Sequence, residues 1–220
     1  MKRNIDMKEV SDGRFYGLRD MVKAGCGDCQ GCCDCCRDMG SSILLDPYDL
    51  FRLTTGLNRS FDQLLDDKIE LNVVDGLILP NLKMQEKTQA CGFLNAQGRC
   101  SIHPLRPGIC RIFPLGRYYE DRSFRYFLQV HECKKEPKTK VKVQKWIDTP
   151  QAGRNEQFII DWHYFVRDLS EQMTNADDNY QKTVSVYLLK NFYGKPYEDS
   201  RDFYEQFYER LTEAKKIFPV

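Results

Sequence analysis

Cys26-Gly27-Asp28-Cys29-Gln30-Gly31-Cys32-Cys33-Asp34-Cys35-Cys36 puts six cysteines into eleven consecutive positions. The run contains three successive CxxC steps, Cys26 to Cys29 to Cys32 to Cys35, and ends in the vicinal pair Cys35-Cys36. Two intervening residues let a tight turn bring both sulfurs to one ion. Such a turn also aims backbone N–H groups at the thiolates and helps to stabilise their charge. A single loop rarely closes a coordination shell alone, so distant partners are expected. Cys91, Cys100, Cys110 and Cys133 are four such partners, and from Lys134 to Val220 there is no cysteine. Cysteines placed only for core packing would be scattered over the chain. The ten thiols could supply two four-sulfur sites with two left over.

The charges around the sulfurs agree with a metal. A divalent ion with four thiolates carries a net negative charge that is costly to bury without compensation. Arg37 follows Cys36, Arg99 precedes Cys100, Arg106 lies four residues before Cys110, and Arg111 follows it. Cations in those places suit a thiolate site. The competing reading, a solvated surface arginine, applies to any one of them better than to all four.

Composition bounds the rest. A chain of 220 residues buries roughly 70% of its unfolded surface and needs no disulfides to stay folded. Lys and Arg number 33 against 32 Asp and Glu, so no field over the whole surface recruits nucleic acid. Apolar content of 41% and aromatic content of 12% mark a globular protein rather than a disordered one. The stretch from Met1 to Ser11 is charged throughout, and the apolar runs are only a few residues long. Neither a signal peptide nor a membrane span is expected, which points to a cytoplasmic location. In that compartment thiols are kept reduced, and a dense cysteine pattern reads as metal-binding or catalytic.

Working outward from the cysteines, Asp46-Pro47 reads as an N-cap followed by proline at the first helical position, opening a helix to about Leu53. Ser60 with Gln63 has capping-box spacing and predicts a helix over Phe61–Asp67. Val73-Val74-Asp75-Gly76-Leu77-Ile78 reads as a hairpin, because Asp-Gly tolerates the positive φ of a type I′ turn. A second hairpin is expected across Arg117–Val130, turning near Asp121-Arg122-Ser123. After a basic, linker-like stretch Lys134–Lys145, helical periodicity takes over. Ile159, Trp162, Val166, Leu169 and Met173 form one apolar stripe; Val184, Tyr187, Leu188 and Phe192 form a second, stopped by Gly194 and Pro196. Phe203, Phe207, Leu211 and Ala214 form a third, behind Asp199, Asp202 and Glu205 at the helix start. Such stripes mean core packing and carry no chemistry. The expected fold class is α+β. The expected organisation is an N-terminal segment (1–23), a cysteine-rich metal-bound region of short strands and helices (24–135), and an all-helical C-terminal region (136–220) packed on it.

With those residues in view, the chain resembles the bacterial YkgJ-type cysteine-cluster proteins, described as zinc- or iron-chelating domains. Their CxxCxxCC hallmark is met by Cys29, Cys32, Cys35 and Cys36. A second block of the family is matched by Cys91-Gly92-Phe93-Leu94, by Gly98-Arg99-Cys100-Ser101-Ile102-His103, and by Arg106-Pro107-Gly108-Ile109-Cys110-Arg111-Ile112-Phe113-Pro114. Cys133 stands where a later cysteine commonly completes the set. The resemblance covers about residues 24–135. It implies eight metal-ligating residues: Cys29, Cys32, Cys35, Cys36, Cys91, Cys100, Cys110 and Cys133. Cys26 and Cys33 are extra to the pattern, with Cys26 the first reserve, and His103 stands where tyrosine is usual. Some relatives are linked to flagellin lysine N-methylation, which keeps an enzymatic role and a protein or peptide partner in view.

Four sulfurs in tetrahedral geometry suit zinc and iron–sulfur chemistry equally. Cys26-x2-Cys29-x2-Cys32-x3-Cys36 also has the spacing of bacterial ferredoxin ligands, with Arg37 in place of the usual proline. Cys29-x3-Cys33-x2-Cys36 has a radical-SAM spacing. Six cysteines in eleven positions generate many spacings by chance, so neither match decides, and the chain lacks the alternating strands and helices of a radical-SAM enzyme. Cysteine density tips the balance towards iron. His103 and His131 each lie near a cysteine but read as structural or hydrogen-bonding groups, and His163 beside Trp162 as a packing or surface residue. No Ser/His/Asp set or HExxH motif supports conventional hydrolysis. Three classes of function follow: a chelating module with a structural or stored metal, a metal-dependent peptide- or protein-modifying enzyme, and a thiol redox sensor.

Overall fold

The computed structural model describes residues 6–27, 32–174 and 176–220. Among them lie helices α1 (Met7–Val10), α2 (Pro47–Leu57), α3 (Phe61–Asp67), α4 (Gly108–Ile112), α5 (Val143–Ile147), α6 (Ala152–Met173), α7 (Asp178–Leu188) and α8 (Phe203–Ile217). The strands are β1 (Ser11–Tyr16), β2 (Met21–Gly25), β3 (Ile69–Val74), β4 (Leu77–Leu82), β5 (Leu115–Glu120), β6 (Ser123–Gln129) and β7 (Thr139–Lys142). The protein is α+β, with antiparallel strands and a helical C-terminal part built from α6, α7 and α8. None of the described helices is long and apolar enough to cross a membrane.

Local chemistry explains most of these boundaries. Asp46 caps α2 by accepting from Asp49 N–H, while the Asp49 carboxylate accepts from Asp46 N–H, so the box is reciprocal. Ser60 and Gln63 close the same kind of box on α3. α2 runs past Leu53 to Leu57 although Thr54, Thr55 and Gly56 are poor helix formers. The two threonine hydroxyls donate back to Leu50 and Phe51 carbonyls, and Asn58 ends the helix in the left-handed region. Asp75 and Gly76 both take positive φ between β3 and β4, and Asp121 and Arg122 do so between β5 and β6, giving the two expected hairpins.

The chain gathers into two compact units, and the division falls within α6 between Ile160 and Asp161. One unit is formed by Ser41–Lys83 with Asp161–Val220. Its centre is aromatic: the Trp162 ring lies 4.9 Å from Phe192 and 6.1 Å from Phe207, and all three are buried. The β3–β4 hairpin is tied in by Ile78 N–H, which donates to Ser185 Oγ on α7 at 3.0 Å. α7 continues through a wider turn over Leu189–Gly194, from which the buried Tyr193 hydroxyl donates to Leu45 O at 3.1 Å.

The other unit, Lys2–Gly40 with Met84–Ile160, holds the cysteines. Its sheet has the order β1-β6-β5, and β2 pairs with β7 as a separate antiparallel ribbon. Tyr16, Val22, Ala24, Leu115, Tyr126 and Val143 are among its buried core. Two sequence readings change here. Residues 11–23 are not a separate segment, because β1 pairs with β6 and β2 with β7. The basic stretch Lys134–Lys145 is not a linker either. Its lysines alternate with Val141, which pairs with Val22, and with Val143, which is fully buried at the start of α5. Lys140 and Lys142 face water while the valines close the core.

Candidate metal centre

The ribbon of β2 and β7 explains how the two ends of the cysteine region meet. β2 stops at Gly25, and Cys26 follows at 4% exposure. On the returning chain Cys133 lies between β6 and β7, and Lys138 Nζ donates to the Cys133 carbonyl at 2.7 Å. Pairing of Gly25 with Thr139 therefore carries Cys26 and Cys133 to the same place. Cys32 and Cys35 join them around one solvent-open pocket. Phe113, Pro114 and Trp146 form its apolar wall. The Trp146 indole N–H is fixed by the carbonyls of Ile112 and Phe113, at 3.3 and 3.1 Å. Cys26 is the residue that the sequence reading held in reserve.

A second grouping adjoins the first through Cys35. Asp34–Cys36 is one turn of 3₁₀ helix, closed by Cys36 N–H donating to Cys33 O at 2.9 Å. The next residues lie antiparallel to 89–91, with Cys91 N–H on Cys36 O at 2.8 Å and Asp38 N–H on Gln89 O at 2.9 Å. Cys100 folds back towards Cys91 by a tight loop. Asn95 Oδ1 accepts from Gln97 and Arg99 N–H, Gly98 takes φ +68°, and Leu94 bridges to Cys100. Cys36, Cys91 and Cys100 are thus near neighbours, close enough for the charges of Cys91 and Cys100 to act on Cys36. Cys110 is half-buried on α4 and is not among the residues lining the pocket. Cys33 lies near Gly98 and accepts a hydrogen bond from the Arg37 guanidinium. Cys29 lies outside the described residues.

The vicinal pair is electrostatically split. The Cys35 thiol is lowered to about 7, first by a hydrogen bond from Cys36 and further by the Arg106 charge, against the opposing effect of burial. Cys36 is pushed up, because it donates to Cys35, is buried, and faces the charges of Cys35, Cys100 and Cys91. One proton leaves this pair readily and the second is held. Burial also raises Cys100, opposed by the Ile102 N–H and by Arg106 and Arg99. Burial raises Cys133 too, opposed by the Lys135 N–H and Lys138, while the charges of Cys26 and Cys32 push the same way as burial. Arg37, Arg99 and Arg106 therefore act on sulfurs as their positions suggest. Arg111, 5% exposed, clamps backbone: it donates to Arg106 O at 2.9 Å, to Asp148 O at 2.7 Å and to Pro104 O.

These donors suit a thiophilic ion. Thiolates favour zinc, iron and iron–sulfur assemblies, and cations stand by to offset the charge. Among the described residues, no group of three or more His, Cys, Asp or Glu side chains is placed to hold a metal ion. His103 lies on the 3₁₀ turn His103–Leu105, His131 is exposed, and the His163 ring sits 5.1 Å from Tyr164 on α6.

No curated protein and no solved structure matches the chain. The family model CxxCxxCC, described as "putative zinc- or iron-chelating domain", matches residues 28–137, half of the chain and nearly all of the cysteine-bearing part. Cys26 lies just before the matched segment. On that match the chain belongs to the CxxCxxCC family of zinc- or iron-chelating domains.

Proposed function

We propose that this protein holds iron or zinc through clustered thiolates, with Cys29, Cys32, Cys35, Cys36, Cys91, Cys100, Cys110 and Cys133 as the ligand pool. The observation that carries the reading is the meeting of cysteines from three parts of the chain. Cys32 and Cys35 share a pocket with Cys133, while Cys36 lies beside Cys91 and Cys100. Cysteine density favours iron, including an iron–sulfur assembly, over zinc. An ion bridging these loops would cross-link segments that have few strands of their own. Structural zinc in thiolate sites contributes on the order of 10–16 kcal/mol to folding. The lowered Cys35 thiol and the neighbouring Arg106 provide a first thiolate near neutral pH, from which loading can start.

The test is paired substitution in the full chain. Cys36→Ser and Cys110→Ser are each expected to lower bound metal and thermal stability together. Unchanged metal content in both variants refutes the shared cage.

A further inference from the structure

A net charge of +1 hides an uneven distribution. Lys134–Lys145 holds six lysines and one carboxylate, Glu136, which leaves 27 Lys and Arg against 31 Asp and Glu in the rest of the chain. The fold concentrates this excess. β7 pairs antiparallel with β2, placing Met21 opposite Lys142 and Val22 opposite Val141. Val22 is buried, and Lys140 and Lys142 stand exposed beside Met21 and Lys23 of β2. Residues two apart on a strand are about 6.6–6.8 Å apart, so the ribbon fixes a row of charges. Lys134 and Lys145, both exposed, extend the row beyond the strand. Among the described residues Lys23, Lys134, Lys140, Lys142 and Lys145 make no ion pair, whereas Lys138 is engaged by Glu136 and the Cys133 carbonyl.

Lysines on an edge strand have an ordinary use, since they keep it from pairing with another chain. One or two would serve that end, and like charges facing each other across strands cost stability. Here they continue past β7 at both ends, onto the preceding loop and onto α5. We propose that the β2–β7 ribbon is a docking surface for duplex nucleic acid, held through its phosphates without reading sequence. Lysine ammoniums act as point charges for phosphate, and a two-stranded ribbon is narrow enough to enter a major groove. The ribbon carries no aromatic ring, which a single strand would need for stacking its bases. Met21 is its one exposed large apolar side chain, too little to anchor it in lipid. A duplex carries one charge per about 1.7 Å, dense enough for counterion release alone to drive binding. Both strands lie outside the segment matched by the family model, and no cysteine takes part, so this surface stands or falls apart from chelation.

The experiment uses the full chain and a fluorescent duplex DNA of about 20 base pairs and arbitrary sequence. Fluorescence anisotropy is read from about 50 to 200 mM salt. The parent should bind with a slope of log affinity against log salt near about −4, from four or five phosphates neutralised. Lys140→Gln with Lys142→Gln should weaken binding about 10–100-fold and make the slope shallower by about 2. Lys23→Gln with Lys145→Gln, a second pair on the same surface, should do the same. Lys182→Gln with Lys215→Gln removes equal charge from exposed positions in the other unit and should bind as the parent does. Melting temperature and metal content should match the parent in all three variants. Absence of duplex binding overturns the proposal, and so does equal weakening in all three variants, which would reduce the effect to net charge. Equal or tighter binding to phosphatidylcholine vesicles containing phosphatidylserine, or to polyglutamate, at the same salt would also overturn it, making lipid or an acidic peptide the partner.

Discussion

Arg111 is the sharpest mechanical prediction. It is 5% exposed and donates to three backbone carbonyls, those of Pro104, Arg106 and Asp148. It thereby fixes the loop between Cys100 and Cys110 to the end of α5. Hydrogen bonds from a charged donor are each worth about 1.5–3 kcal/mol net, and acceptors left buried without a donor add to the loss. Against that sum, Arg111→Ala no longer buries a guanidinium, which returns part of the energy. A net destabilisation of about 3 kcal/mol follows, equivalent to a melting temperature lower by roughly 6–12 °C for a chain of this size. Arg111→Lys should lose most of the same stability, because one ammonium cannot reach three carbonyls arranged around a planar fork. The assay is thermal unfolding followed by circular dichroism, run with and without a strong chelator. Melting within about 1 °C of the parent for both variants, the range of a neutral surface change, would refute the clamp.

Arg106→Gln should raise the Cys35 thiol and slow its alkylation at neutral pH in metal-free protein, because the Arg106 charge helps to lower it. Metal affinity should fall by about 10–100-fold, the usual cost of losing a supporting group beside a ligand; alkylation kinetics and chelator competition read the two effects. Glu156, whose carboxyl is raised by burial and which accepts from the Tyr126 hydroxyl, gives a pH signature. A raised carboxyl binds its proton more tightly in the folded state, so its contribution is largest at low pH and is lost as pH rises through the folded value. Stability of the parent relative to Glu156→Gln should therefore decline as pH rises from below the ordinary 4.5 towards neutrality. A difference in denaturation midpoints that is flat with pH would contradict this. Phe207→Ala removes a fully buried ring that touches Phe192, Phe203 and Trp162, and should cost about 3–5 kcal/mol in chemical denaturation.

What could be read in the sequence was what local chemistry controls. The Ser60/Gln63 box, the Asp75-Gly76 turn and the apolar stripes of α6, α7 and α8 each depend on residues a few positions apart, so periodicity and capping expose them. What could not be read depends on distant pairing. β1 lies against β6, with Ser11 opposite Gln129, and nothing near Ser11 announces that partner. β7 was hidden by its lysines, although Val141 and Val143 carry the period of two that a half-buried strand needs. The same limit governs the site. The spacing from Cys26 to Cys36 announces metal, but which sulfurs share a pocket is decided by the β2–β7 ribbon and by the antiparallel contact of Cys36 with Cys91. Both lie beyond the reach of a spacing rule. Arg111 looked like a partner of the sulfurs because it follows Cys110; its burial and its three carbonyls make it a backbone clamp.

The most direct test of the account is elemental analysis combined with a visible spectrum on the full chain purified without oxygen. The account predicts at least about one iron or zinc ion per chain. A brown protein with iron and acid-labile sulfide would identify a cluster, and a colourless zinc protein a structural site. A protein that folds, keeps its ten thiols reduced and carries neither metal would contradict the central claim.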